Sequence, residues 1–103
     1  MDQKVTIRNS SLDWREIGNR TVELLDINVG NAERRQGVGT KLVLEMMEDM
    51  PSDTGLIIAI TRQSNEVAQE FYESLGWRIV GRLHRFYPDK SGGESALMYG
   101  LDV

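Results

Sequence analysis

Apolar residues recur at helical spacing in two stretches of the chain and alternate or run together elsewhere. Val38, Leu42, Val43, Met46, Met47 and Met50 fall three, four or one residue apart, which makes a single stripe on one helix. Lys41, Glu45, Glu48 and Asp49 fall on the wet side, and Pro51 stops the helix. The methionines read as core filler. A second helix starts at Ser64 or Asn65, turns Val67, Ala68, Phe71, Tyr72 and Leu75 inward, and ends at Gly76. The remaining segments read as strands. Lys4–Arg8 alternates and is β-branched. Asn9–Arg20 reads as strand, turn and strand with the turn at Gly18-Asn19, or else as a helical turn carrying Leu12, Trp14 and Ile17. Thr21–Val29 is a strand with Thr21, Glu23, Leu25, Ile27 and Val29 on one face and Val22, Leu24, Asp26 and Asn28 on the other. Leu56–Thr61 is continuously apolar, as a central strand is. Trp77–Tyr87 and Ser95–Leu101 are strands joined by a turn over Pro88–Gly93. The order ββ(β)αβαββ predicts an α/β (α+β) fold. Strands 21–29 and 56–61 are parallel through a helical crossover, and the last two form a hairpin.

At 103 residues, with no repeat, linker or low-complexity stretch, this is one domain, residues 1–103. Its formal charge of −4 argues against nonspecific nucleic-acid binding, which needs a basic surface. There is no cysteine, so no disulfide framework, thiolate metal site or catalytic thiol is available, and no metal is expected. The segment MDQKVTIRNSS lacks the apolar core of a signal peptide, and no apolar run reaches membrane-spanning length. A cytoplasmic protein is the expectation.

Candidate chemistry lies in ERRQGVGTKL, Glu33–Leu42, between a strand and a helix. Gly37 and Gly39 remove side chains where a ligand can approach the backbone. Consecutive N–H groups at a helix start form a nest for an anion, favoured further by the helix dipole. Arg34 and Arg35 add positive charge in an otherwise acidic chain. The turn reads as a pyrophosphate cradle. Taken alone, a Gly-x-Gly such as Gly37-Val38-Gly39 is more often a turn that holds nothing.

Two motifs at this separation resemble the Gcn5-related N-acetyltransferase (GNAT) superfamily. Arg34-Arg35-Gln36-Gly37-Val38-Gly39 matches its Gln/Arg-x-x-Gly-x-Gly/Ala signature, and Asn65 to Trp77 matches its Asn-x-x-Ala-x-x-Phe-Tyr-x-x-x-Gly-Phe run. The tail Phe86-Tyr87-Pro88 followed by Glu94–Met98 is weakly similar to the protein N-terminal (ribosomal-protein alanine) acetyltransferase branch. The resemblance covers Thr21–Val103. It implies a mixed central sheet with a splayed parallel strand pair, two main helices and a C-terminal hairpin. The family's two N-terminal helices, which wall the acceptor site, are shortened or absent here. That leaves the acceptor side open or completed by another chain, so self-association is expected.

The resemblance further implies acetyl-CoA as cosubstrate and a primary amine, on a small molecule or a peptide, as acceptor, with neither nucleic acid nor membrane as partner. Backbone groups of Ile27 and Val29 would pair with the pantetheine arm. The N–H groups of Arg35, Gln36, Gly37, Val38, Gly39 and Thr40, with the Thr40 hydroxyl, would hold the pyrophosphate beside Arg34. Asn65 would contact the pantetheine, unless it is only a helix cap. Tyr72 would be the general acid. The branch's usual base position is here Ile60, which cannot act, so Glu23 is the candidate base and His84 is read as structural. A water chain is the other route for the proton. The competing reading is a catalytically weak acyl-CoA-binding module working through a protein partner.

Overall fold

The computed structural model describes residues 2–34, 36–88 and 92–103. Among these, six strands form one mixed sheet in the order β1-β2-β3-β4-β6-β5. The elements are β1 (Gln3–Ile7), β2 (Ser10–Gly18), β3 (Thr21–Asn28), α1 (Val38–Asp49), β4 (Leu56–Arg62), α2 (Glu66–Ser74), β5 (Arg78–Tyr87) and β6 (Glu94–Asp102). A short 3₁₀ turn, Asn31–Glu33, precedes α1. The α/β mixed sheet, its two helices and the C-terminal hairpin are as the sequence predicts. Gln3–Ile7 and Ser10–Gly18 are strands, so the strand-turn-strand reading of this region holds and the helical turn does not. β1 and β2 are antiparallel, Ile7 opposite Ser10, so Arg8-Asn9 alone connects them where family helices would stand.

The second hairpin differs by one residue from expectation. Gly18 pairs with Thr21, so the turn is Asn19-Arg20 rather than Gly18-Asn19. Arg20 takes φ +60° there. Its carbonyl accepts the N–H groups of Gly55 and Leu56, and its guanidinium donates to the Asp53 carbonyl at 2.8 Å. Tertiary hydrogen bonds thus hold an arginine where local preference favours glycine. The Pro88–Gly93 turn lies partly outside the described residues.

Both helices share one face of the sheet. Leu42, Val43 and Met46 of α1 and Tyr72 of α2 form a single buried cluster with Leu12, Trp14, Leu24, Ala59 and Tyr99. Ala68, Phe71 and Leu75 pack against that cluster, but Val67, expected inward, is 79% exposed.

One irregularity shapes the functional region. Trp14 pairs with Leu24 but Asp13 pairs with Asp26, so Leu25 is an extra residue, a β-bulge in β3. A bulge bends its strand and resets which face each side chain takes. Strict alternation would have put Ile27 beside Glu23. Instead Ile27 lies opposite buried Leu12, on the helix side, while Glu23 stays on the other face. At the same point β3 parts from β4. Their parallel pairing runs from Thr21↔Leu56 to Leu24↔Ala59 and stops, although both strands continue. The gap-side peptide groups of the two strands beyond that point have no strand partner, as at an exposed sheet edge.

Candidate active site

The splay opens into a cleft of about 650 Å³. Its floor is β3 and the residue after it, Ile27, Asn28 and Val29. One wall is the start of α1 with Arg34, Gly37, Val38, Gly39 and Thr40, and the other is α2 with Asn65, Val67, Ala68, Phe71 and Tyr72. Two sequence motifs about thirty residues apart therefore meet across one strand gap.

α1 begins without a side-chain cap, and its first intrahelical bond is Lys41 N–H to the Gly37 carbonyl. The N–H groups of Val38, Gly39 and Thr40 are thus the unsatisfied donors of a helix N-terminus, at the positive end of its dipole. Gly37 has φ +74°, and a Cβ built there meets nothing within 4 Å. The residue is required for its backbone shape, and the space beside it is open to the cleft. Gly39 plays another part. A Cβ there would lie 3.0 Å from the Phe71 ring, so this glycine lets α2 pack close to α1. Arg34 reaches back, Nε 3.4 Å from the Val29 carbonyl, and lines the cleft. Gln36 does not: its amide nitrogen donates to the Ala32 carbonyl at 2.8 Å. Arg35 lies outside the described residues.

Tyr72 is positioned by the way α2 ends. Gly76, at φ +87°, lets the chain double back. The Trp77 N–H then reaches the Tyr72 carbonyl, and the Gly76 N–H reaches that of Glu73, each at 3.0 Å. This is a Schellman ending, and its usual apolar contact is the stacking of Trp77 on Tyr72, with ring centroids 5.1 Å apart. Tyr99 packs on the same ring at 5.6 Å. The Tyr72 side chain is 5% exposed, and burial, helped by the charge of Asp26, pushes its phenol up to about 12. The neighbouring Tyr99 is also raised to about 12, by burial and then by Glu73, to which its hydroxyl donates at 2.7 Å. Tyr99 is thereby committed to a structural bond, whereas Tyr72 lines the cleft.

Asn65 caps α2, its Oδ1 accepting the Ala68 N–H at 3.1 Å. What it offers a ligand is the donor end of the same amide. Glu23 lies apart from these groups. It occupies the row Arg15↔Glu23↔Ile58↔Gly100, on the sheet face opposite the helices, and is not among the cleft residues. Arg15 holds it through Nε at 3.1 Å and Nη2 at 2.9 Å. His84 is exposed on β5. Among the described residues no three His, Asp or Glu side chains gather as a metal site, and no helix is long and apolar enough to cross a membrane.

Glu33, to which neither sequence motif assigns a role, is a buried carboxylate in the cleft wall, 4% exposed. Only its place beside the glycine turn hinted at it. Its partners lie more than twenty residues away, on Asn9 and Ser10.

Comparison with known proteins agrees with this geometry. The model of the acetyltransferase (GNAT) family matches residues 6–77. An uncharacterized protein of Mycobacterium leprae (strain TN) is 37% identical over 76 residues, 74% of this chain and 20% of that protein. The chain therefore spans about a fifth of the length of this curated relative. Among solved structures, the ribosomal-protein-S18-alanine N-acetyltransferase of Escherichia coli superposes with a TM-score of 0.78 at 22% identity, over 100% of this chain and 68% of that one. A Bacillus subtilis acetyltransferase in complex with CoA gives 0.81 at 21% identity, over 99% and 76%. With the family match across most of its length and the parallel pair β3–β4 opening between the two motifs, the chain belongs to the GNAT family of acetyltransferases.

Proposed function

We propose that this chain binds acetyl-CoA in the cleft between β3 and β4 and transfers the acetyl group directly to a primary amine. One observation carries the reading: the end of β3 that has left β4, an uncapped helix N-terminus and a buried tyrosine converge on one cleft. The CoA complex of the Bacillus subtilis structure supports the choice of cosubstrate, and the alanine acceptor of the Escherichia coli enzyme supports an amine acceptor.

The residues present fit such a ligand. Open space beside Gly37 and the N–H groups of Val38, Gly39 and Thr40 suit the pyrophosphate, with the Thr40 hydroxyl and Arg34 beside them. The strand edge at Ile27 and Val29 suits the amides of the pantetheine arm, and the Val29 N–H serves the acetyl oxygen. Acetyl-CoA supplies an activated thioester. Tyr72 gives its hydroxyl proton to the departing sulfur. Glu23 takes a proton from the amine as nitrogen bonds to the acetyl carbon. The two stand on opposite faces of the sheet, and Glu23 is still paired with Ile58, one residue before the pairing of β3 with β4 ends, so the amine must reach it through the gap that opens beyond Leu24.

Glu23 must be shared with Arg15 to do this. Glu23→Gln is expected to lower the rate most at low pH, where a base competes with protonation of the amine. A pH–rate profile identical to that of the parent protein would remove Glu23 and leave water as the base. The ion pair, together with Ile60 at the usual base position, also favours a second reading as a binding module without turnover. Thiol release measured with acetyl-CoA and a panel of amines separates the two. Release selects the enzyme, and binding without release across the panel selects the module.

Self-association is part of the proposal. Among the described residues no helix packs on the sheet face bearing Glu23, Leu25 is 36% exposed, and the edge strand β5 leaves Val80 45% and Phe86 49% exposed. Exposed apolar strands of this kind pair readily. Light scattering is expected to show a mass above that of one chain. A single-chain mass over a wide concentration range would contradict it.

A further inference from the structure

We infer that Glu33 is a positioning residue, a clasp that holds the phosphate-binding turn to the first hairpin. The inference rests on the acetyl-CoA reading of the cleft and assigns a task to a side chain that takes no part in acetyl transfer. The Glu33 carboxylate accepts the Asn9 N–H at 2.8 Å and the Ser10 hydroxyl at 2.9 Å. Ser10 Oγ in turn accepts the Gly30 N–H at 2.9 Å, and the Glu33 N–H donates to the Gly30 carbonyl at 2.9 Å. These bonds close a ring between the β1–β2 corner and the connection from β3 to α1. Its two side chains are buried: Ser10 is 1% exposed and Glu33 4%. It is also tight, since a Cβ on Gly30 would meet Asn9 Cβ at 3.2 Å.

The location gives the ring its meaning. The segment from Val29 to Gly37 must leave a strand, turn, and present the first N–H groups of α1 to the cleft. Among its described side chains, Asn31 and Ala32 are exposed, and Arg34 and Gln36 bond only to carbonyls of the same segment, at Val29 and Ala32. Glu33 ties its middle to the sheet. A buried carboxylate satisfied by hydrogen bonds is costly to disturb, so the tie is stiff. Stiffness here sets the phosphate donors in place before the ligand arrives, which saves ordering entropy on binding.

Glu33→Gln keeps the shape but loses the charge, and Ser10→Ala removes the bridging hydroxyl. Both are titrated with CoA and with pantetheine, which lacks the pyrophosphate, while backbone amides are followed by NMR. Both variants are expected to weaken CoA binding roughly tenfold, with pantetheine affinity unchanged. Unchanged CoA affinity in both would overturn the clasp. So would an equal loss for both ligands, which would make Glu33 a general support of the fold. Hydrogen exchange at the Gly30 and Asn9 amides tests the clasp without any ligand. Faster exchange in Glu33→Gln supports it and unchanged exchange overturns it, whereas a parent protein that fails to bind CoA overturns the cofactor reading alone.

Discussion

Gly37→Glu is expected to abolish acetyl-CoA binding in a protein that still folds. Two effects act together. Gly37 occupies φ +74°, where any other residue costs about 1 kcal/mol. The new carboxylate would also enter the open space beside the α1 N-terminus and repel the phosphates from their donors. Gly37→Ala separates the two effects, since it brings the strain without the charge. It should lose stability by about 1 kcal/mol and retain most of its affinity. Calorimetry that found the parent affinity in folded Gly37→Glu would show that the phosphates bind elsewhere.

Tyr72→Phe is expected to lower kcat by about a hundredfold to ten-thousandfold and to leave acetyl-CoA affinity nearly intact. The hydroxyl acts as the sulfur departs, so its loss is felt in the transition state more than in binding. The ring remains between Phe71, Trp77 and Tyr99, and the fold should survive. With its phenol held near 12, Tyr72 stays protonated throughout an ordinary assay range, and its ionisation should not limit the rate below about pH 11. Tyr99→Phe is the control. That hydroxyl is bonded to Glu73, so its removal should cost stability and not turnover. Full turnover in Tyr72→Phe with a good acceptor would end its role as general acid.

The fold was legible because its main devices are local. The stripe of Val38, Leu42, Val43 and Met46 marks α1, the apolar run at Leu56 marks β4, and Gly76-Trp77 ends α2 by a motif written in neighbouring residues. What escaped was set by distant pairing. The bulge at Leu25 exists only against β2, and it sends Ile27 to the face opposite the one alternation assigns. Gly39 is defined by Phe71 of another helix, and Glu33 by a hairpin corner more than twenty residues earlier. Arg20 in a turn conformation suited to glycine is intelligible only through Asp53, Gly55 and Leu56. The site followed the same division. Motif spacing pointed to the α1 N-terminus, Asn65 and Tyr72, which the cleft brings together. Strand position and family resemblance point to Glu23, and only the three-dimensional arrangement reveals Arg15 as its partner.

Acetyl-CoA is expected in the cleft lined by the end of β3, α1 and α2. Titrating the protein with CoA while following its backbone amides by NMR maps that location without any assumption about the acceptor. The expected result is saturable shifts at Ile27–Val29, Val38–Thr40 and Asn65–Tyr72, with little change at Gln3, Lys4, Glu16 and Asp49, which line a separate hollow. Shifts confined to that other hollow, or none at saturating CoA, would contradict the acetyl-CoA cleft between β3 and β4.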